Sequence, residues 1–167
     1  MEHGDHVALN YDLDAPLVEC TSIEDWKQKA KGHKVFITPH HMGYQGGYRG
    51  YNWKCFTEGD ITPFVEMYSR HGLAESDQGD YPYLHDMGPR QWEGTIQYGL
   101  ELGNKFGIMA STDQHSGYPG SYGDGRIGVM APSLTRDAIW EALRTRHVCA
   151  ATGDKIIIDF RLNDAFM

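Results

Sequence analysis

The residues best suited to chemistry lie in the stretch 106–120, FGIMASTDQHSGYPG. An apolar run, Phe106 to Ala110, stops at Ser111-Thr112-Asp113-Gln114-His115, and Gly117, Pro119 and Gly120 then break the chain. The pattern is that of a buried strand delivering side chains into a loop. In parallel α/β sheets and barrels, loops at the carboxyl ends of strands carry ligands and chemistry. Asp113 and His115 are two residues apart, so an extended backbone sends both side chains from one face. A carboxylate and an imidazole converging on one point suit a divalent ion of the zinc, manganese or iron type. The competing reading has Asp113 capping the turn and His115 on the surface.

The same device recurs twice. Lys34 to Thr38 reads as a short buried strand that runs into Pro39-His40-His41, and Phe64 to Tyr68 as another that runs into Ser69-Arg70-His71-Gly72. In a parallel sheet all three loops emerge on one edge and share a centre. Adjacent residues on a strand end point to opposite sides, which favours His40 as the ligand and leaves His41 as a second ligand, a core residue or a supporting histidine. His71 is a ligand, a proton donor or a loop residue. Glu66 interrupts an apolar run, where an unpaired carboxylate is costly, so it lies on an exposed strand face or pairs with a cation. Arg49, Arg70 and Arg126 are candidates for bidentate phosphate binding. His3, His6, His33 and His147 read as surface or structural.

Other elements must position these groups. His6 to Tyr11 is a candidate first strand. Thr21 with Glu24 forms a capping box for a helix through Trp26 and Ala30 that ends near Gly32. Residues 42–62, rich in glycine and aromatics without a period, read as a binding loop or lid. Tyr81, Tyr83 and His85 are possible cleft walls. Pro89 opens a helix over 90–103 anchored by Trp92, Ile96 and Leu100. Arg126 to Ala131 reads as a strand, and Ser133 or Thr135 caps a helix over 136–146 with Ile139, Trp140 and Leu143 on one stripe. His147 to Ala150 and Lys155 to Phe160 read as closing strands. The succession is that of an α/β protein, with neither internal repeat nor interdomain linker.

With 167 residues, a single domain with a real core is expected. The net charge of −8 argues against a broad nucleic-acid footprint. It leaves room for a small phosphorylated substrate, because metal ions and local arginines reverse the field within a cleft. No apolar run approaches the roughly 20 residues needed to cross a bilayer, and no secretion signal opens the chain. Cys20, Cys55 and Cys149 lack C-x-x-C spacing and read as reduced thiols, which fits a cytoplasmic location.

The motifs TPHH, YRGYNW, VEMYSRHGLAES, PYLHDMGPRQW, FGIMASTDQHSGYPGSYG and LTRDAIWEALRTRHVCAATGDKI together resemble the carboxyl-terminal half of the PHP (polymerase and histidinol phosphatase) superfamily, and within it the DUF3604-type branch. The resemblance covers nearly the whole chain. It implies part of a distorted (β/α)7 TIM-like barrel, with two or three metal ions (manganese, iron or zinc) at the carboxyl ends of the strands, hydrolysing phosphate esters. The family's late D-x-H falls on Asp113 and His115, its mid-chain strand-end histidine on His40, and a later histidine on His71. Its opening H-x-H, next histidine and bridging glutamate belong to a preceding stretch, and His3-Gly4-Asp5-His6 has the wrong spacing to replace them. The resemblance therefore implies a domain over 1–167 that lacks the amino-terminal barrel strands, its site completed by another chain or a second copy. The alternative is a non-catalytic fragment or binding module that self-associates. A Ser/His/Asp hydrolase has little support, since no G-x-S-x-G elbow is present.

Overall fold

A computed structural model describes residues 3–59, 61–78, 88–118, 120–121 and 124–166. Pro119 and the proposed cleft walls Tyr81, Tyr83 and His85 lie outside them. Nine strands and three helices run in the order β1 (Asp5–Asn10), α1 (Ile23–Lys29), β2 (Val35–His40), β3 (Phe64–Ser69), β4 (Gly72–Leu73), α2 (Ile96–Glu101), β5 (Gly107–Ala110), β6 (Arg126–Val129), α3 (Arg136–Arg144), β7 (Val148–Ala151), β8 (Arg161–Leu162) and β9 (Ala165–Phe166) among these residues.

The expected TIM-like (β/α)7 barrel is not what the chain adopts. Four small sheets form among the described residues, and none closes. β1 pairs antiparallel with β2, from Asp5 opposite His40 to Asn10 opposite Val35, and β6 pairs antiparallel with β7. Among the described strands only β3 and β5 form a parallel pair, and β4 folds back on β3. A βα barrel needs parallel strands throughout, each followed by a covering helix. Here the longest helix among the described residues has nine residues, and the connections after β2 and β5 are irregular where described.

Burial follows the alternation of β2. Val35 and Ile37 face α1, where Ile23, Trp26 and Ala30 complete one apolar cluster. Phe36 faces the other way, onto Phe64, Met109 and Val148, and stacks on Trp140 of α3 with ring centroids 3.9 Å apart. In β3, Phe64 and Val65 are fully buried, as expected of a strand covered on both faces. Thr38 Oγ1 donates to Phe64 O at 3.3 Å and Ile37 N to Ile61 O at 2.8 Å, fixing β2 beside β3.

Several boundaries differ from expectation for local reasons. The cap of α1 is Ser22, whose hydroxyl accepts from Asp25 N, one residue beyond the expected Thr21. The helix expected over 90–103 is reduced to a 3-10 turn at Trp92–Gly94 and the short α2. Its first turn is diverted because Gln91 N donates to Gly43 O and Gly43 N to Gly94 O, so this stretch pairs with the glycine loop instead. Leu100, expected as an anchor, is exposed. Lys155 to Phe160 forms no strand; a hairpin follows it, with Asn163 and Asp164 at positive φ in the turn between β8 and β9.

Within α2, a methyl group on Gly99 would lie 2.1 Å from the Trp53 ring. Alanine there gains ~1 kcal/mol of helix propensity but overpacks a core whose indole is held by a 2.9 Å bond to Thr95 O. Urea denaturation of Gly99→Ala is expected to show a net loss of ~1–3 kcal/mol; a gain would mean that the indole moves freely.

Candidate metal centre

Three strand ends supply the centre. β2 ends at His40, β5 releases the chain toward Asp113, and the tight turn from β3 to β4 holds His71, whose backbone N donates to Ser69 Oγ at 3.2 Å. Because β3 and β5 are parallel and adjacent, the loops after them leave on the same side.

His40 and His41 do not point to opposite sides. Their rings lie 3.6 Å apart, and His40 Nε2 and His41 Nδ1 approach Asp113 at 3.5 and 3.9 Å. The reason is backbone conformation: β2 stops at His40, and His41 adopts a left-handed φ of 56°, turning its ring back toward the same centre. Asp113 likewise has φ 48°, so the extended geometry expected of D-x-H is lost. His115 Nε2 remains 3.6 Å from Asp113 Oδ1, yet its side chain is 90% exposed, which places it at the rim. His71 Nε2 is 3.0 Å from Asp113 Oδ2. Left-handed backbone at non-glycine residues is uncommon and clusters where function over-determines it.

Glu66 resolves into the paired alternative. Its carboxylate, buried at mid-strand in β3, accepts from Ser111 Oγ at 2.5 Å and from His40 Nδ1. With Nδ1 donating, His40 presents Nε2 to the centre, the arrangement in which a carboxylate orients a metal-binding imidazole.

Donor atoms of His40, His41 and Asp113 all lie within 4.8 Å of one another. His41 Nδ1 and Asp113 Oδ2 are buried and make no hydrogen bond among the described residues, although His71 Nε2 stands 3.0 Å from the carboxylate oxygen as an ion-pair partner. A buried imidazole nitrogen without a partner is costly unless something else engages it. The donor set of two imidazoles and a carboxylate, with a third imidazole adjacent, fits a zinc-, manganese- or iron-type ion.

Around these ligands opens a cleft of about 630 Å³, whose walls add Asp5, His6, Tyr48 and Arg49. Asp5 Oδ2 lies 3.9 Å from His41 Nε2 and accepts from Arg49 Nη1 at 3.1 Å. The loop carrying Tyr48 and Arg49 is tied on both sides. Asp5 N donates to Arg49 O, Gln45 N to Pro89 O, and Gly46 N to Gln91 Oε1. Gly50 closes it, since a Cβ there would meet Tyr44 O at 1.9 Å.

Arg70 is exposed and outside the cleft lining, where its charge acts on Asp124. Arg126 donates to the carbonyls of Gly153, Gly120 and Ser121, a structural role. His33 and His147 are exposed; His6 lines the cleft, edge-on to Tyr51, and His3 Nδ1 lies 2.8 Å from Cys55 Sγ. Asp5 and Tyr48 carried no signal in the sequence, because only the β1–β2 register and the loop ties bring them here.

The site is electrostatically divided. Burial opposes charge on His40, but Asp113 and Glu66 on its two sides outweigh it and raise the imidazole from 6.5 to about 10. Burial, reinforced by the neighbouring His40 charge, lowers His41 to about 4. Burial also resists ionisation of Asp113, yet the His40 bond and the charges of His40, His41 and His71 hold it below its ordinary value.

No protein-family model matches the chain, and no solved structure does. An uncharacterized protein of Chlamydia trachomatis serovar D is 28% identical over 129 residues, covering 71% of this chain and 21% of that protein. Another from Chlamydia muridarum is 29% identical over 114 residues, 62% of this chain and 18% of its own. The chain thus spans about a fifth of the length of the curated relatives it matches.

The two histidine shifts define a pH window for the metal-free protein. His41, lowered in the folded state, contributes stability above 6.5 that is lost as pH falls toward 4. His40, raised in the folded state, contributes stability below 6.5 that is lost as pH climbs toward 10. Urea midpoints measured in chelator should therefore peak near neutrality, and His40→Gln should flatten the alkaline limb. An unchanged alkaline limb in that variant would assign it to another group.

Proposed function

We propose that this chain provides a divalent-metal site for hydrolysing a phosphate ester, in line with its resemblance to PHP phosphoesterases. The observation that carries the reading is the convergence of His40, His41 and Asp113, whose donor atoms lie within 4.8 Å of one another on an open cleft, with His41 Nδ1 buried and unbonded among the described residues. His40, His41 and Asp113 would hold the ion, with His115 at the rim as a further donor. A bound ion of this kind lowers the pKa of a bound water toward neutrality and neutralises phosphoryl oxygens.

The chain's own groups supply the rest. Glu66 and Ser111 fix the tautomer and direction of His40. His40 must release its proton for Nε2 to act as a ligand, so affinity rises with pH. His71 stands on the cleft wall, with Nε2 beside Asp113, where it can hold a proton for a leaving oxygen or complete the ligand set. Arg49, which lines the cleft on its pinned loop and is paired with Asp5, orients the phosphoryl group. No described helix is long and apolar enough to cross a membrane, and the proposed setting is the cytoplasm.

Elemental analysis of the purified protein should find bound manganese, iron or zinc that disappears in Asp113→Asn. With added metal, hydrolysis of p-nitrophenyl phosphate is expected, and the same variant should lower kcat/KM by about 10³ or more. Arg49→Ala should act mainly on KM, as loss of a group that binds ground and transition state alike. A folded protein that binds no metal and hydrolyses nothing would leave the binding-module reading in place.

A further inference from the structure

The segment 155–160, Lys155-Ile156-Ile157-Ile158-Asp159-Phe160, is unlike the rest of the surface. Three consecutive β-branched residues and an aromatic are exposed together: Ile157 is 95% exposed, and Ile156, Ile158 and Phe160 are each 43–54% exposed. Residues of both parities are affected, so both faces of the extended segment are bare. Its backbone joins no ladder among the described residues; the one bond it makes is local, from Ile156 N to Asp154 O. Such a run, high in β propensity and open along its backbone, is a template for strand pairing.

Its charges say what pairs with it. Written antiparallel against itself about Ile157, the segment places Lys155 opposite Asp159 of a second copy, and by symmetry Asp159 opposite Lys155. Ile156 then faces Ile158 twice, and Ile157 faces itself on the two-fold axis. Both ionic positions are satisfied in the register that also matches every isoleucine. Lys155 makes no ion pair among the described residues, and Asp159 accepts from Arg161 Nε and Nη2 through both oxygens, each of which keeps a second lone pair for a partner's ammonium. The chain carries −8 overall, so two copies repel unless the contact itself is complementary in charge. A two-fold interface of this type needs only one self-complementary patch.

We propose that residues 155–159 form an antiparallel intermolecular strand pair that dimerises this protein, with Lys155–Asp159 contacts fixing the register. The proposal is independent of the metal site, which lies in another part of the chain.

Sedimentation velocity on the whole chain is expected to show a dimer, and Ile157→Lys a monomer with an unchanged circular dichroism spectrum. Lys155→Asp and Asp159→Lys each place like charges opposite one another at both symmetric positions, weakening self-association by about tenfold or more. Mixing these two variants juxtaposes opposite charges at both positions, so the mixture should recover a heterodimer that neither forms alone. A wild type that stays monomeric, a dimer that survives Ile157→Lys, or a mixture that stays monomeric would each overturn the proposal. Because all three substituted side chains are exposed, unchanged circular dichroism separates lost pairing from lost folding.

Discussion

Burying the Asp113 carboxylate is the constraint to which the site and its supporting strands answer. Its side chain is 7% exposed, and a carboxylate removed from water is tolerated only when opposite charge and donors surround it. His40, His41 and His71 come from two different strand ends to do so. That convergence in turn requires β2, β3 and β5 to lie side by side, and Phe36, Phe64 and Met109, one from each strand, pack together to hold them there. The electrostatic problem and the apolar core thus share the same three strands.

Glu66 shows how one residue joins the two layers. It is flanked in β3 by the fully buried Val65, yet it is hydrogen-bonded through both oxygens, to β5's exit through Ser111 and to β2's end through His40. A satisfied carboxylate here acts as a cross-strand tie as well as an orienter of the imidazole. Replacing it with an apolar residue would leave a buried imidazole without a partner, which is dearer than the loss of the hydrogen bonds alone.

Much of the site could be read from residue order, because an apolar run that stops in histidine or aspartate encodes both a strand and its exit. His40, His71 and Asp113 were legible on that basis. What the pattern could not carry was the path of the chain after the strand. His41 and Asp113 turn through left-handed conformations that no alternation rule anticipates, so His41, expected to point away from His40, lies buried beside it, and His115, expected either to converge with Asp113 or to lie on the surface, stands exposed at the rim. The architecture was less legible. Strand and helix signals alternate along the chain, but direction is set by pairing partners, and β1 with β2 and β6 with β7 run antiparallel where a barrel needs parallel strands. The helix expected after Pro89 failed for a related reason: Gln91 and Gly94 gain hydrogen bonds from the glycine loop that a first helical turn would forfeit.

The loop bearing Tyr48 and Arg49 is fastened to β1 on one side and to residues 89–91 on the other, with a glycine at the point of closest backbone approach. A wall of this kind has already given up its conformational freedom before any ligand arrives. Occupancy of the cleft would then be limited by encounter and desolvation rather than by rearrangement, and discrimination among ligands would rest on shape and charge presented in advance instead of on a closing motion.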